Sequence, residues 1–208
     1  MKLSSESKLF LGIICVTIAI VAGAMILFSR PTPTISQDDL VPEGAITKGN
    51  SDATVFLVEF SDFQCPACKA VKPVVDNLLK AYPNELLFVY RHFPLSQHPF
   101  GEESARAAES ASVQGKFWEM YEFLFANQEN LSSEKIREGA AALGLDIPKF
   151  ELDKESQAVK DTVARDLASG TRLGVNSTPT FYLNGRKLTL TSFEQLKEEV
   201  EKSIGETR

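Results

Sequence analysis

The sequence predicts an α/β domain in which a small sheet is interrupted by a long helical insertion, with one apolar helix ahead of it. Three observations carry this. An apolar β-rich run, a helix-periodic stretch and a second β-rich run follow one another between Ala53 and Arg91. Helical periodicity then persists from Glu102 to Leu173. A strand, an Asn184-Gly185 turn and a second strand return the chain to the sheet before a last helix.

Leu9 to Phe28 contains no charged residue. A helix of that length, rising about 1.5 Å per residue, covers roughly 30 Å, the depth of a bilayer core. Lys2 and Lys8 precede the run, and beyond Arg30 the chain turns acidic at Asp38, Asp39 and Glu43. The positive flank keeps residues 1–8 in the cytoplasm and places the body outside, as a single-pass protein of the cell membrane. The competing reading is a cleaved signal peptide, with Ala22-Gly23-Ala24 as its small-residue site. Both deliver the domain to an oxidising compartment. Cys15, inside the run, reads as a small hydrophobe facing lipid. Ser29 to Gly44, polar and with three prolines, reads as an extended linker, so the domain is expected over residues 45–208.

Ala53 to Phe60 (ATVFLVEF), apolar and β-rich but for Glu59, has the pattern of a strand buried on both faces. Cys65 to Tyr82 follows with Val71, Val74, Val75, Leu78 and Leu79 at helical spacing, and Pro73 inside it is expected to kink that helix. Glu85 to Arg91 (ELLFVYR) is a second strand, and the βαβ order makes the two strands parallel. The insertion, residues 93–174, reads as helices over Glu102–Ser112, Lys116–Asn127, Ser132–Leu143 and Leu152–Leu173, the third capped by Ser132. Thr180–Leu183 and Lys187–Leu190 form a hairpin across Asn184-Gly185. Phe193 to Ile204 is the last helix, with Phe193, Leu196, Val200 and Ile204 on one face.

Composition narrows the function. The 208 residues are 43% hydrophobic and 24% charged, which is ordinary for a folded domain and excludes disordered, collagenous or coiled-coil chains. Net charge is −6, and more negative still without the first thirty residues, so nucleic acid is not an expected partner. Three cysteines are too few for a disulfide scaffold.

The chemistry centres on Cys65-Pro66-Ala67-Cys68. Cysteines three apart at a helix start share a face and can bridge. Cys65 stands where unpaired N–H groups and the helix dipole favour negative charge, which lowers a thiol's pKa and makes it the attacking sulfur in disulfide exchange. Cys68, one turn in and more buried, resolves the mixed disulfide. Pro66 costs no hydrogen bond at the first helical position. The alternative is half of a zinc site, which needs two further ligands, and His92 and His98 are the only His or Cys left outside the apolar run. No metal and no cofactor are expected.

Glu59 interrupts the apolar strand six residues before Cys65. A buried carboxylate is costly without a partner or a task. Two readings stand: a proton acceptor for Cys68 with a raised pKa, or a solvated or lysine-paired strand-end residue. His92 and His98 read as solvated or structural loop histidines that could tune the thiolate. Phe117, Trp118, Tyr121 and Phe125 read as the core of the insertion.

Three separated segments make the pattern specific. VEFSDFQCPACKAVKP, QGKFWEMYEFLFANQ and VNSTPTFYLNGRKL occur in this order and resemble the thioredoxin superfamily, on its DsbA-like branch of thiol–disulfide oxidoreductases, over about Ala45 to Ile204. The resemblance implies a thioredoxin-like fold with a helical insertion. It implies that Thr178-Pro179 is a cis-proline pair facing the disulfide, that Pro66, Ala67, Thr178 and Pro179 meet the substrate, and that Glu59 is the acid beside the buried cysteine. Physically, Pro179 lacks an N–H, and the carbonyl and N–H of Thr178 can pair with an extended substrate backbone; the competing reading is an ordinary trans Thr178-Pro179 bond before an edge strand.

The resemblance also frames the function. Reduced or misoxidised proteins are the expected substrates, and a membrane redox partner, a quinone-linked reoxidase or an electron carrier, is expected to recycle the cysteines. Ala67 stands where the strongest oxidants of the branch carry histidine, so the potential is expected to be less oxidising, about 30 mV for each 1.4 kcal/mol lost. Introduction of disulfides into secreted or surface proteins is the leading expectation. The alternatives are an extracytoplasmic reductase, and a non-enzymatic thiol metallochaperone or peptide-holding module. Residues 31–52 are too short and polar to supply the dimerisation region of a disulfide isomerase, so a monomer is expected.

Overall fold

Seven consecutive buried residues, Val55–Ser61, form the strand around which the sheet is built in the computed structural model, which describes residues 14–23, 25 and 34–207. In chain order the elements are α1 (Gln37–Leu40), β1 (Ile46–Gly49), β2 (Val55–Ser61), α2 (Pro66–Ala81) and β3 (Leu86–His92). The insertion comprises α3 (Gly101–Val113), α4 (Phe117–Ala126), a 3-10 turn (Gln128–Asn130), α5 (Ser133–Ala142), α6 (Ile147–Lys154) and α7 (Gln157–Arg172). The chain ends in β4 (Thr180–Leu183), β5 (Arg186–Lys187) and α8 (Phe193–Glu206).

The strand order is β1-β3-β2-β4-β5. β2 and β3 run parallel, with Glu59 opposite Tyr90 and Ser61 opposite His92, and β4 pairs antiparallel to β2. Alternation along β2 builds two cores. Val55 and Leu57 join one that α2, α8 and much of the insertion cover, and Phe56, Val58 and Phe60 join the other, against Leu40, Phe93 and Leu167. Glu59 shares the pleat side of Val55 and Leu57, which is the side that holds both cysteines.

α2 forms because Cys68, Val71, Val75 and Leu78 recur on one buried face, each aliphatic side chain contributing about 1.5–3 kcal/mol by leaving water. Pro66 occupies its first turn, and Pro73 lies within the helix.

Several expectations are corrected. β1 was absent from the sequence reading: it is four residues with only Ile46 half-buried, so it carries no apolar alternation, and it pairs antiparallel to β3. The single helix expected over Leu152–Leu173 is two, because Ser156 accepts from the Val159 N–H and caps a new start. The second hairpin strand is Arg186–Lys187 rather than Lys187–Leu190, although the turn residues Asn184 and Gly185 both have the expected positive φ, 47° and 83°. The linker expected through Gly44 is folded from Thr34 onward. Ser36 caps α1, Leu40 is fully buried, and the Ile35 N–H donates to Gly185 O at 2.8 Å.

Two compact units divide the chain, Met1–Pro33 and Thr34–Arg208. In the first, residues 14–23 are helical, and Ile14, Val16, Ile18 and Ile20 are exposed. Among the described residues no helix is long and apolar enough to cross a membrane. The remainder of the span expected over Leu9–Phe28, residues 1–8 before it and 29–33 of the expected linker lie outside the described residues.

Candidate active site

The C-terminal end of β2 delivers the site. Beyond Ser61 the chain turns, the Cys65 N–H donates to Asp62 O at 3.0 Å, and Cys65 takes an extended conformation (φ −79°, ψ 119°) as the residue that caps α2. Its carbonyl accepts from the Cys68 and Lys69 N–H groups at 3.1 and 3.2 Å, the first bonds of the helix. Cys65 and Cys68 are free thiols, the former 6% and the latter 1% exposed.

Their acidities diverge. The Cys65 thiol is pushed down to about 5, chiefly by the hydrogen bond from Cys68. Burial opposes this, and Thr178 and the N–H groups of Cys68 and Ala67 add to it. The Cys68 thiol is pushed well above its usual range by burial, by its bond to Cys65 and by the charge of Glu59. One proton shared between two sulfurs therefore favours a Cys65 thiolate and a Cys68 thiol.

Glu59 is buried, and no cation pairs with it among the described residues. Its Oε1 accepts from the Ser61 hydroxyl at 2.7 Å, and its Oε2 has no partner. Burial raises its carboxyl to about 8, opposed by the Ser61 bond and reinforced by charge on Cys65 and Asp76. The solvated or lysine-paired alternative is thereby excluded. Ser61 also bonds toward Cys68, where it favours the thiolate.

The loop is held from behind. The buried Asp62 carboxylate accepts from the N–H groups of Gln64 and Leu95, both at 2.8 Å, and pairs with His98 Nδ1 at 2.7 Å. A Cβ on Gly101 would meet that carboxylate at 3.0–3.1 Å, which accounts for the glycine. Gln64 Oε1 accepts from the Phe100 N–H at 2.7 Å. Gln128, from the insertion, donates to Phe63 O at 2.7 Å and to Cys65 O at 3.0 Å.

On the opposite side the Thr178-Pro179 bond is cis, and the Cys65 thiol donates to Thr178 O at 3.3 Å. A cleft of about 290 Å³ opens beside it, lined by Ser177, Pro179, Thr180, Lys187 and Thr189 among others.

Of the residues named from sequence, Cys65, Pro66, Ala67, Cys68, Thr178 and Pro179 converge at this one place, and Glu59 is close enough for its charge to act on Cys68. The histidines do not join them as loop groups. His92 ends β3, is buried, and meets Glu109 Oε1 at 2.9 Å, while His98 belongs to Asp62, and neither contributes to the Cys65 shift. Phe117, Tyr121 and Phe125 are buried around Phe63 and Tyr90, and Trp118 is half-buried. Ser61, Asp62 and Gln128 were not singled out from sequence. Ser61 and Asp62 lie in the segment VEFSDFQCPACKAVKP and Gln128 ends QGKFWEMYEFLFANQ, but nothing local to any of the three gives it a role. Among the described residues no three His, Cys, Asp or Glu side chains gather as a metal site would require.

The comparisons agree with this geometry. The thioredoxin family is matched over residues 42–202. A thioredoxin-like oxidoreductase from Silicibacter pomeroyi superposes with a TM-score of 0.71 at 28% identity, over 81% of this chain and 98% of that one. BdbD from Bacillus subtilis, in its oxidised form, superposes with a TM-score of 0.69 at 21% identity, over 78% and 94%. The thiol–disulfide exchange protein alpha-DsbA2 from Wolbachia pipientis gives 0.71 at 19% identity, over 80% and 91%. At those two identities the likeness is one of fold. By sequence, the Na(+)/H(+) antiporter NhaA of Herminiimonas arsenicoxydans is 40% identical over 156 residues, which are 75% of this chain and 25% of that protein. The chain thus spans about a quarter of the length of the curated relatives it matches. The chain belongs to the thioredoxin superfamily, and its fold is that of the DsbA-like thiol–disulfide oxidoreductases.

Proposed function

We propose that this chain introduces disulfides into secreted or surface proteins, outside the cytoplasm, by exchange at Cys65 and Cys68. The observation that carries the reading is the divergence of the two thiols, Cys65 pushed down to about 5 and Cys68 pushed up. A stabilised Cys65 thiolate stabilises the dithiol state, so the disulfide is readily given away.

In the oxidised form a substrate thiolate attacks Cys65 Sγ. The Cys65–Cys68 bond breaks, and the electron pair leaves on Cys68, which takes a proton. Glu59, holding one up to about pH 8 and close enough for its charge to act on Cys68, is the buried acid that supplies it. The substrate's second thiolate then attacks its own sulfur in the mixed disulfide. The substrate disulfide forms, and Cys65 leaves as the thiolate its surroundings favour. The substrate has lost two electrons and the cysteine pair has gained them, and a membrane redox partner takes them up. The Thr178 carbonyl, once the Cys65 thiol no longer donates to it, and the cleft beside Pro179 would hold the substrate as an added strand. Lys2 and Lys8 before the apolar run support a membrane-tethered domain on the outer side.

Ala67 has no side-chain donor, and this favours a second reading, an extracytoplasmic reductase. The low Cys65 value is nevertheless reached through Cys68, Thr178 and main-chain N–H groups. Equilibration with glutathione separates the two. A potential above about −200 mV, with transfer of the disulfide to a reduced unfolded protein, supports the oxidase, and a value near that of thioredoxin, about −270 mV, overturns it.

A further inference from the structure

Pro66 removes the N–H from the peptide bond that follows Cys65, so this peptide can be held only through its carbonyl. That carbonyl already accepts from the Cys68 and Lys69 N–H groups of α2. A third donor reaches it from outside the sheet domain: Gln128 Nε2, in the 3-10 turn between α4 and α5, bonds Cys65 O at 3.0 Å and Phe63 O at 2.7 Å. Gln128 is buried at 6% exposure, and its neighbour Glu129 meets Lys69 of α2 at 3.5 Å on the surface. Both carbonyls belong to the short loop that aims the nucleophile.

We propose that Gln128 is a positioning residue for Cys65, through which the helical insertion sets the acidity of the reactive thiol. The inference rests on the reading of Cys65 as the nucleophile. Clamping the two carbonyls fixes the loop so that the Ala67 and Cys68 N–H groups face Cys65 Sγ. The carboxamide also presents the positive end of its dipole beside a forming thiolate. Gln128 bonds the main-chain carbonyls of Phe63 and Cys65 and acts through them.

The test is the pH dependence of Cys65 alkylation by iodoacetamide in the reduced full chain. Gln128→Glu keeps the shape but sets an acceptor against two carbonyls, and Gln128→Leu removes the donor. Both are expected to raise the midpoint by about one pH unit, Glu more than Leu. A folded variant with the wild-type midpoint overturns the proposal. A measurement on the unaltered chain needs no variant: the Gln128 side-chain amide NMR signals are expected to titrate with Cys65, and a pH-invariant pair overturns it as well. If wild-type Cys65 itself titrates like an ordinary thiol, the reading of the nucleophile fails instead, which keeps the two failures distinct.

Discussion

The Cys65 thiol donates to the main-chain carbonyl of Thr178 across 3.3 Å. While Cys65 keeps its proton, the nucleophile therefore occupies the acceptor next to Pro179. Once Cys65 ionises or bonds a substrate sulfur, that carbonyl has no donor and is available to an incoming backbone N–H. The same step that arms the sulfur thus opens the place where a substrate strand would pair.

Cys68 is the largest cause of the low Cys65 value, and Thr178 and main-chain N–H groups supply the rest. Cys68→Ala is therefore expected to raise the Cys65 midpoint above about 5 while leaving it below 9, the ordinary value. It also leaves mixed disulfides unresolved. Alkylation rate against pH measures the first. Non-reducing gels with a disulfide-bonded substrate, which the Cys65 thiolate attacks and from which only Cys68 could release it within this chain, measure the second. A midpoint unmoved at 5 would contradict the assignment.

Glu59 carries the opposite sign. Its folded value is raised from 4.5 to about 8, so its contribution to stability is fully present below 4.5 and is lost as pH rises through 8. Gln cannot ionise. Glu59→Gln is expected to match the reduced wild type near pH 4.5 and to exceed it above pH 8 by up to about 5 kcal/mol. Cys65, lowered from 9 to about 5, contributes stability above 9 that is lost as pH falls toward 5, so the wild-type curve alone mixes the two. Urea unfolding of both proteins at each pH isolates Glu59, and parallel curves would remove it from the buried-acid role.

Ser61 bonds Glu59 Oε1 at 2.7 Å and holds the carboxyl below the value burial alone would give. Ser61→Ala is expected to raise the Glu59 midpoint further and to slow Cys68 attack on a Cys65 mixed disulfide about tenfold, the equivalent of one lost buried hydrogen bond. Ser61→Thr keeps the hydroxyl and is expected to restore both. Stopped-flow resolution rates across pH decide it, and equal profiles for Ala and Thr would refute the effect.

Arg91 is buried in the second core, with Nε on Asp166 Oδ1 at 2.7 Å. Removing the partner leaves a charge out of water, so Asp166→Asn is expected to cost about 3 kcal/mol in urea unfolding. Cys65 alkylation should be unchanged, because Asp166 does not enter its shift.

The parts legible in the sequence were those with a local signal. Val55–Ser61 announced itself by continuous apolar residues, α2 by Val71, Val75 and Leu78, and the nucleophile by two cysteines at a helix start. β1 was not legible because Thr47, Lys48 and Gly49 are exposed and its pairing with β3 is non-local. Gln128 and the Asp62–His98 pair were hidden for the same reason, since their partners lie 63 or 65 and 36 residues away. Glu59 was half legible. Its position in an apolar run announced burial, but only the fold showed that Ser61, and no lysine, is its hydrogen-bond partner.

The folded lead-in from Thr34 to Leu40 sets where the catalytic half can be cut free. A fragment trimmed at Ala45 would strip Leu40 from the second apolar layer and take away the carbonyl that Arg91 Nη1 holds at 2.8 Å. It would also unpair Gly185 O from Ile35. Cleavage at Pro33 spares all three. A protease that cuts between Thr34 and Ala45 must thus break these contacts first, although the stretch carries Pro42.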